Sequence, residues 1–125
     1  MTGVQTCALP IYWSPVSNGS AGQVVSWGLE YSMQEIGATF PATIIISGNT
    51  SLPSETLVAD RHYLTDLGTI DMSSVDSVSA MLICRVFRDA TGALNTDNYA
   101  ADVALLEVDF HYQIDSTGSE TEYVK

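Results

Sequence analysis

Apolar and polar positions alternate along most of this chain, and the alternation has a period of two. Between Gln23 and Met33, the residues Val25, Trp27, Leu29, Tyr31 and Met33 occupy every second place, with Ser26, Gly28, Glu30 and Ser32 between them. Successive side chains of a β-strand point to opposite faces, so this run predicts a half-buried strand. The SNGSAG stretch before it holds the residue types that turns require. Residues 42–47 (ATIIIS) form a second β-rich run, entered after Pro41 and closed by the GNTSLPSE loop. Residues 62–71 alternate less regularly around Tyr63, Leu64, Leu67 and Ile70, and Gly68 marks a bulge or bend. Residues 78–88 (VSAMLICRVFR) are apolar on both faces, which predicts a central strand covered on both sides. In residues 103–114, Ala104, Leu106, Val108, Phe110, Tyr112 and Ile114 make one apolar face; Glu107, Asp109, His111 and Gln113 make the other polar. That phase sends Phe110 into the core and His111 to the opposite side.

No segment repeats apolar residues at helical spacing for three turns, so helix is expected only as single turns such as DNYAAD. The predicted class is all-β, an antiparallel β-sandwich or jelly-roll-like fold. Five predicted strands fall short of the ~7 to 8 of such folds, so the domain is expected to be incomplete at its amino terminus. Its expected extent is residues 12–115, one domain, followed by a polar tail over residues 116–125 (STGSETEYVK).

The opening MTGVQTCALPI stands apart from this pattern. It has neither the basic n-region nor the apolar h-region of a signal peptide. Translated from a GTG start, a common sequencing-adapter strand gives these residues and leaves one T, the first base of a tyrosine codon, where Tyr12 begins. Residues 1–11 are therefore expected to be non-native and to make few core contacts.

Charge narrows the function. Four basic residues face 15 acidic ones, a net charge of −11. Such a chain repels the nucleic-acid backbone and anionic membrane surfaces, so neither is an expected partner. An apolar fraction of 46% is too high for a disordered acidic tail. With Cys7 set aside in the adapter segment, Cys84 is the one remaining cysteine. No intrachain disulfide is then possible, and its apolar surroundings predict a small buried hydrophobe. No run reaches the ~18 apolar residues of a membrane-crossing helix.

The candidate chemistry is sparse. Glu107, Asp109 and His111 alternate on one strand, so a surface or metal-binding role is open to them, with His62 as a second element. One strand rarely closes a coordination shell, and an exposed, solvated or cross-strand-paired polar face is the favoured reading, with no metal or cofactor expected. Asp97, Asn98 and Asp102 offer oxygens to calcium, but without the EF-hand pattern, and turn roles are commoner. Arg85 and Arg88, three apart, fall on opposite faces of their strand. Each needs a carboxylate, with Asp97, Asp102, Asp109 and Asp115 available, and structural salt bridges are expected. There is no nucleophile elbow and no phosphate-cradling glycine loop, so no catalytic residue is expected.

Arg85 and Arg88, Asp97 and Asp102, the Phe110–Tyr112 FHY run and the D-x-x-GS…E-x-x-K ending over residues 115–125 resemble the carboxy-terminal part of an uncharacterised family of tailed-phage and prophage proteins. WSPVSNGSAGQVVSWGLEYS and GATFPAT are similar to its middle. Family members carry a His-x-His pair just before the tryptophan, a place held here by the adapter-like segment and Tyr12. The resemblance implies a non-enzymatic virion structural protein, of tail-appendage or head-decoration type. Its expected partners are other virion proteins and further copies of itself, or a host-surface glycan. Alternatives are a lectin-like module using Trp27, Tyr31 or Tyr112, and a fragment of a cupin-type metal enzyme.

Overall fold

The computed structural model describes residues 4–50, 56–72, 75 and 79–114, with side chains between residues 9 and 111. The described residues contain no helix. They form seven strands: β1 Val4–Pro15, β2 Ser26–Gln34, β3 Ile44–Asn49, β4 Tyr63–Asp71, β5 Met81–Arg88, β6 Val103–Val108 and β7 His111–Ile114. Every pairing is antiparallel. One sheet has the order β4-β1-β6, with β7 also paired to β1, and the other has the order β3-β2-β5. Because β4 occupies one side of β1, β6 and β7 lie end to end along its other side. The fold is an all-β sandwich of two sheets, each three strands wide.

The five runs with strand-like patterning all lie on strands, and the alternation in β2 does what it predicts. Trp27, Leu29 and Tyr31 face the core together with Val25, while Glu30 stays on the other face. Trp13 stacks on its β4 neighbour Tyr63 with ring centroids 5.1 Å apart and, across the sandwich, stands 6.4 Å from Trp27. Its indole N–H donates to the Thr65 hydroxyl at 3.0 Å, a partner that a buried donor needs. Gly68 sits at the bulge expected of it: φ is +93° there, and the β1–β4 register shifts between Ala8 and Pro10. That irregularity also explains how Pro10, which has no N–H to give, is tolerated inside a central strand.

Four expectations fail, each for a reason of packing. Residues 1–11 were expected to stay off the core, yet β1 is the middle strand of its sheet, and Leu9 and Ile11 are fully buried. Their alternation with Trp13 continues the period-two pattern upstream of Tyr12 and joins Tyr63, Leu67 and Ile70 of β4 on the inner face. Next, β5 is an edge strand rather than a central one. Its outward apolar residues Met81 and Ile83 are exposed, while Leu82 and Val86 on the inner face are half-buried against the core. Cys84, expected to be buried, is exposed as well. It shares the inner face with its partner Tyr31, but β4 approaches β3 and β2, and no strand of the opposite sheet comes comparably close to β5.

The last failure concerns the run 103–114. It is two strands, broken at Asp109–Phe110. The β1–β6 register shifts between Tyr12 and Trp13, where Tyr12 meets Glu107 and Trp13 meets Leu105. The bulge reverses the phase within the strand. Val103 and Val108 pack on the core, whereas Ala104 and Leu106 are exposed and Phe110 is 38% exposed instead of buried. The side chains of Tyr112 and Ile114, Asp115 and the expected tail over residues 116–125 lie outside the described residues.

Candidate functional site

Polar chemistry gathers on the outer face of the β4-β1-β6 sheet. Tyr12 points outward from β1, flanked in register by Leu64 of β4 and Glu107 of β6. Its ring lies 5.3 Å from that of His62, which immediately precedes β4. Glu107 shares a hydrogen bond with Asp109, and this contact with a like-charged neighbour holds the Glu107 carboxyl above the usual carboxylate range. Partial desolvation pushes the same way, and the nearby His62 pulls against both. Asp109 Oδ2 is also 3.4 Å from His111 Nε2. Glu107, Asp109 and His111 are thus close together, but across a strand break rather than along one straight strand. Among the described residues, no group of three or more His, Cys, Asp or Glu side chains has the geometry to hold a metal ion. The four groups form a chain of neighbours, His62–Glu107–Asp109–His111, on an open surface.

The arginines divide. Arg88 forms a fork with Asp97, Nε to Oδ2 at 2.9 Å and Nη2 to Oδ1 at 2.8 Å, and donates also to the Ala101 and Tyr99 carbonyls. Asp97 further accepts the Ser26 N–H at 3.1 Å and the Tyr99 N–H at 3.4 Å. Its oxygens are saturated by protein donors, which removes the centre of the calcium reading. Beside it, Asn98 accepts the Val24 N–H at 2.7 Å, so residues 97–98 are stitched to the entry of β2. Asp102 is exposed and acts on Arg88 through its charge alone. Among the described residues, Arg85 pairs with none of Asp97, Asp102 and Asp109. It meets Glu30 at 2.7 Å on the outer face of the other sheet, where Thr43 also donates to Glu30.

Asp89 was not singled out from sequence. It accepts backbone N–H groups from Ala93, Leu94 and Asn95, led by Leu94 at 2.8 Å, and these hold its carboxyl below the usual range. The signal was present: an aspartate opening DATGALN, with a glycine three residues on that takes φ = +67°, is turn chemistry.

Beyond the Glu30–Arg85 pair, the outer face of the β3-β2-β5 sheet bears exposed apolar side chains. Ile45, Met81 and Ile83 project from it. At its end, the turn holding Ile36 and Phe40 forms with Met81 and Ile83 the walls of an open groove. Ile36, Met81 and Ile83 are 73%, 60% and 54% exposed. By contrast Trp27 and Tyr31, the rings proposed for sugar stacking, are 4% and 8% exposed and lie in the core. Comparison with protein-family models, with curated proteins and with solved structures finds no match to this chain.

Proposed function

We propose that this chain is a non-enzymatic structural component of a tailed-phage virion, a rigid β surface that works by assembling with other virion proteins. The observation that carries the reading is the set of exposed apolar side chains, Ile45, Met81 and Ile83, on the outer face of β3-β2-β5, continuous with the groove at Ile36 and Phe40. Exposed apolar area of this kind marks a surface that another protein covers. It belongs to a chain whose net charge of −11 otherwise keeps it in solution. The motif resemblance over residues 85–125 supplies the virion context. Mass spectrometry of purified particles from a host carrying an intact copy of the gene tests the proposal. The chain is expected in stoichiometric amount, and an Ile83→Glu variant is expected to be depleted from particles while remaining folded. Absence from particles, with metabolic genes flanking the intact copy, would remove the reading.

A further inference from the structure

The described residues leave four strand edges, and these are not equivalent. β3 and β4 come together at one corner of the sandwich, where Gly48 approaches the Asp66 carbonyl so closely that a Cβ would overlap it. β4 also carries Asp66 and Asp71, and the β6–β7 edge carries Glu107 and Asp109. β5 differs on each count. Among the described residues it pairs with β2 alone. It holds none of the 15 acidic residues, and Arg85 and Arg88 already have carboxylate partners inside the molecule.

Among the described residues, the ladder shows which backbone groups of β5 are left unpaired. The Asp89 N–H donates to the Ser26 carbonyl at 2.8 Å, so the residue just past β5 turns its backbone toward β2. Along an antiparallel strand this direction alternates. The odd-numbered residues of β5 therefore bond to β2, and Leu82, Cys84 and Val86 direct their N–H and C=O groups to the open side. The side chains of Ile83, Cys84 and Arg85 in the middle of this stretch are exposed.

We infer that β5 pairs antiparallel with β5 of a second copy about a two-fold axis at Cys84, joining two three-stranded sheets into one. Charge selects the occupant. Two chains of net charge −11 repel each other, and they meet at least cost where both surfaces lack acids, a condition that an isologous β5 contact satisfies on both sides at once. Side-chain pairing and ladder length select the register. A two-fold axis normal to the sheet keeps inner faces together, so only same-parity residues can be opposed. Centring on Arg85 sets two guanidinium groups directly opposite, which is destabilising. Centring on Ile83 or on Cys84 sets one apolar residue, Met81 or Ile83, against Arg85. The Ile83 register engages the outward groups of Leu82 and Cys84 alone, whereas the Cys84 register adds Val86 to the ladder and sets Met81 against Phe87 and Leu82 against Val86. The outward groups of Leu82, Cys84 and Val86 then supply about six N–H···O bonds between the copies. This pairing rests on the reading of the chain as an assembly module and names one of its partners.

Sedimentation velocity in reducing buffer tests it across a concentration series. The unmodified chain is expected to shift from monomer to dimer. Cys84→Lys and Cys84→Glu each place like charges across the axis, and each is expected to remain monomeric with an unchanged circular dichroism spectrum, since position 84 is exposed. Mixed in equal amounts, the two are expected to form a dimer again. Cys84→Pro provides an independent check: its lost N–H faces away from β2, so the monomer keeps its ladder while pairing is lost. A monomer throughout the series, or a dimer that survives in either charged variant, overturns the inference. Charged variants that stay monomeric even when mixed overturn the register at Cys84. Either failure leaves the virion role to be judged separately, by the composition of particles.

Discussion

Truncating Ile11 measures whether the first eleven residues belong to the domain. Its side chain is fully buried on β1, between Thr65 of β4 and Val108 of β6. Ile11→Ala removes three carbons at about 0.8 kcal/mol each in transfer free energy, about 2.4 kcal/mol. The cavity left in a strand held on both sides raises the cost to about 3 to 4 kcal/mol, within the ~2 to 5 kcal/mol found for such truncations. Against a typical domain stability of ~5 to 15 kcal/mol, that is a large fraction. With a urea slope of roughly 2 kcal/mol per molar, the midpoint of unfolding falls by roughly 1.5 to 2 M. Fluorescence reports it well, because Trp13 and Trp27 lie on opposite sheets and meet in the core. Val16→Ala, just past β1 at a site 53% exposed, is the control and is expected to cost within about 0.5 kcal/mol. If Ile11→Ala moves the midpoint no further than Val16→Ala, β1 is not the central strand, and the expectation of a passenger segment is restored.

Three further outcomes follow from the contacts. Arg88→Met strands Asp97, whose side chain is 1% exposed, without its cation and is expected to cost about 3 to 5 kcal/mol in chemical denaturation; Arg85→Met, at a solvent-exposed pair, is expected to cost at most about 1 kcal/mol. Glu107 titrates above its unfolded value, so its contribution to stability is present below the unfolded pKa and is lost as pH rises through the folded one. Calorimetry should therefore show Glu107→Gln raising Tm at about pH 7 with no gain at about pH 3, where the Glu107 carboxyl is protonated. Trp27 Nε1 is buried without a partner among the described residues, whereas Trp13 Nε1 bonds to Thr65, so Trp13→Phe should cost more than Trp27→Phe by about 1 kcal/mol in urea titrations.

By itself the sequence determined the chemistry that depends on neighbours along the chain. Period-two alternation located β2 and β4, and Gly68 marked the bulge, because side-chain direction and left-handed backbone are local properties. Arg88 and Asp97, nine residues apart across one loop, were likewise within reach of sequence reasoning. Where the partner is distant, pattern was not enough. Arg85 finds Glu30, 55 residues away, only because β5 lies beside β2 in that register. Two apolar faces on β5 read alike in a strand buried between layers and in an exposed edge, and sheet order alone separates the two. The phase of residues 103–114 was broken by an extra residue of β6 in its pairing with β1, and Phe110 left the core at the strand break that follows Val108. β1 itself was set aside on its nucleotide-level likeness, although Leu9, Ile11 and Trp13 fall on one face. Burial of those three is decided by the opposite sheet, which no local pattern contains.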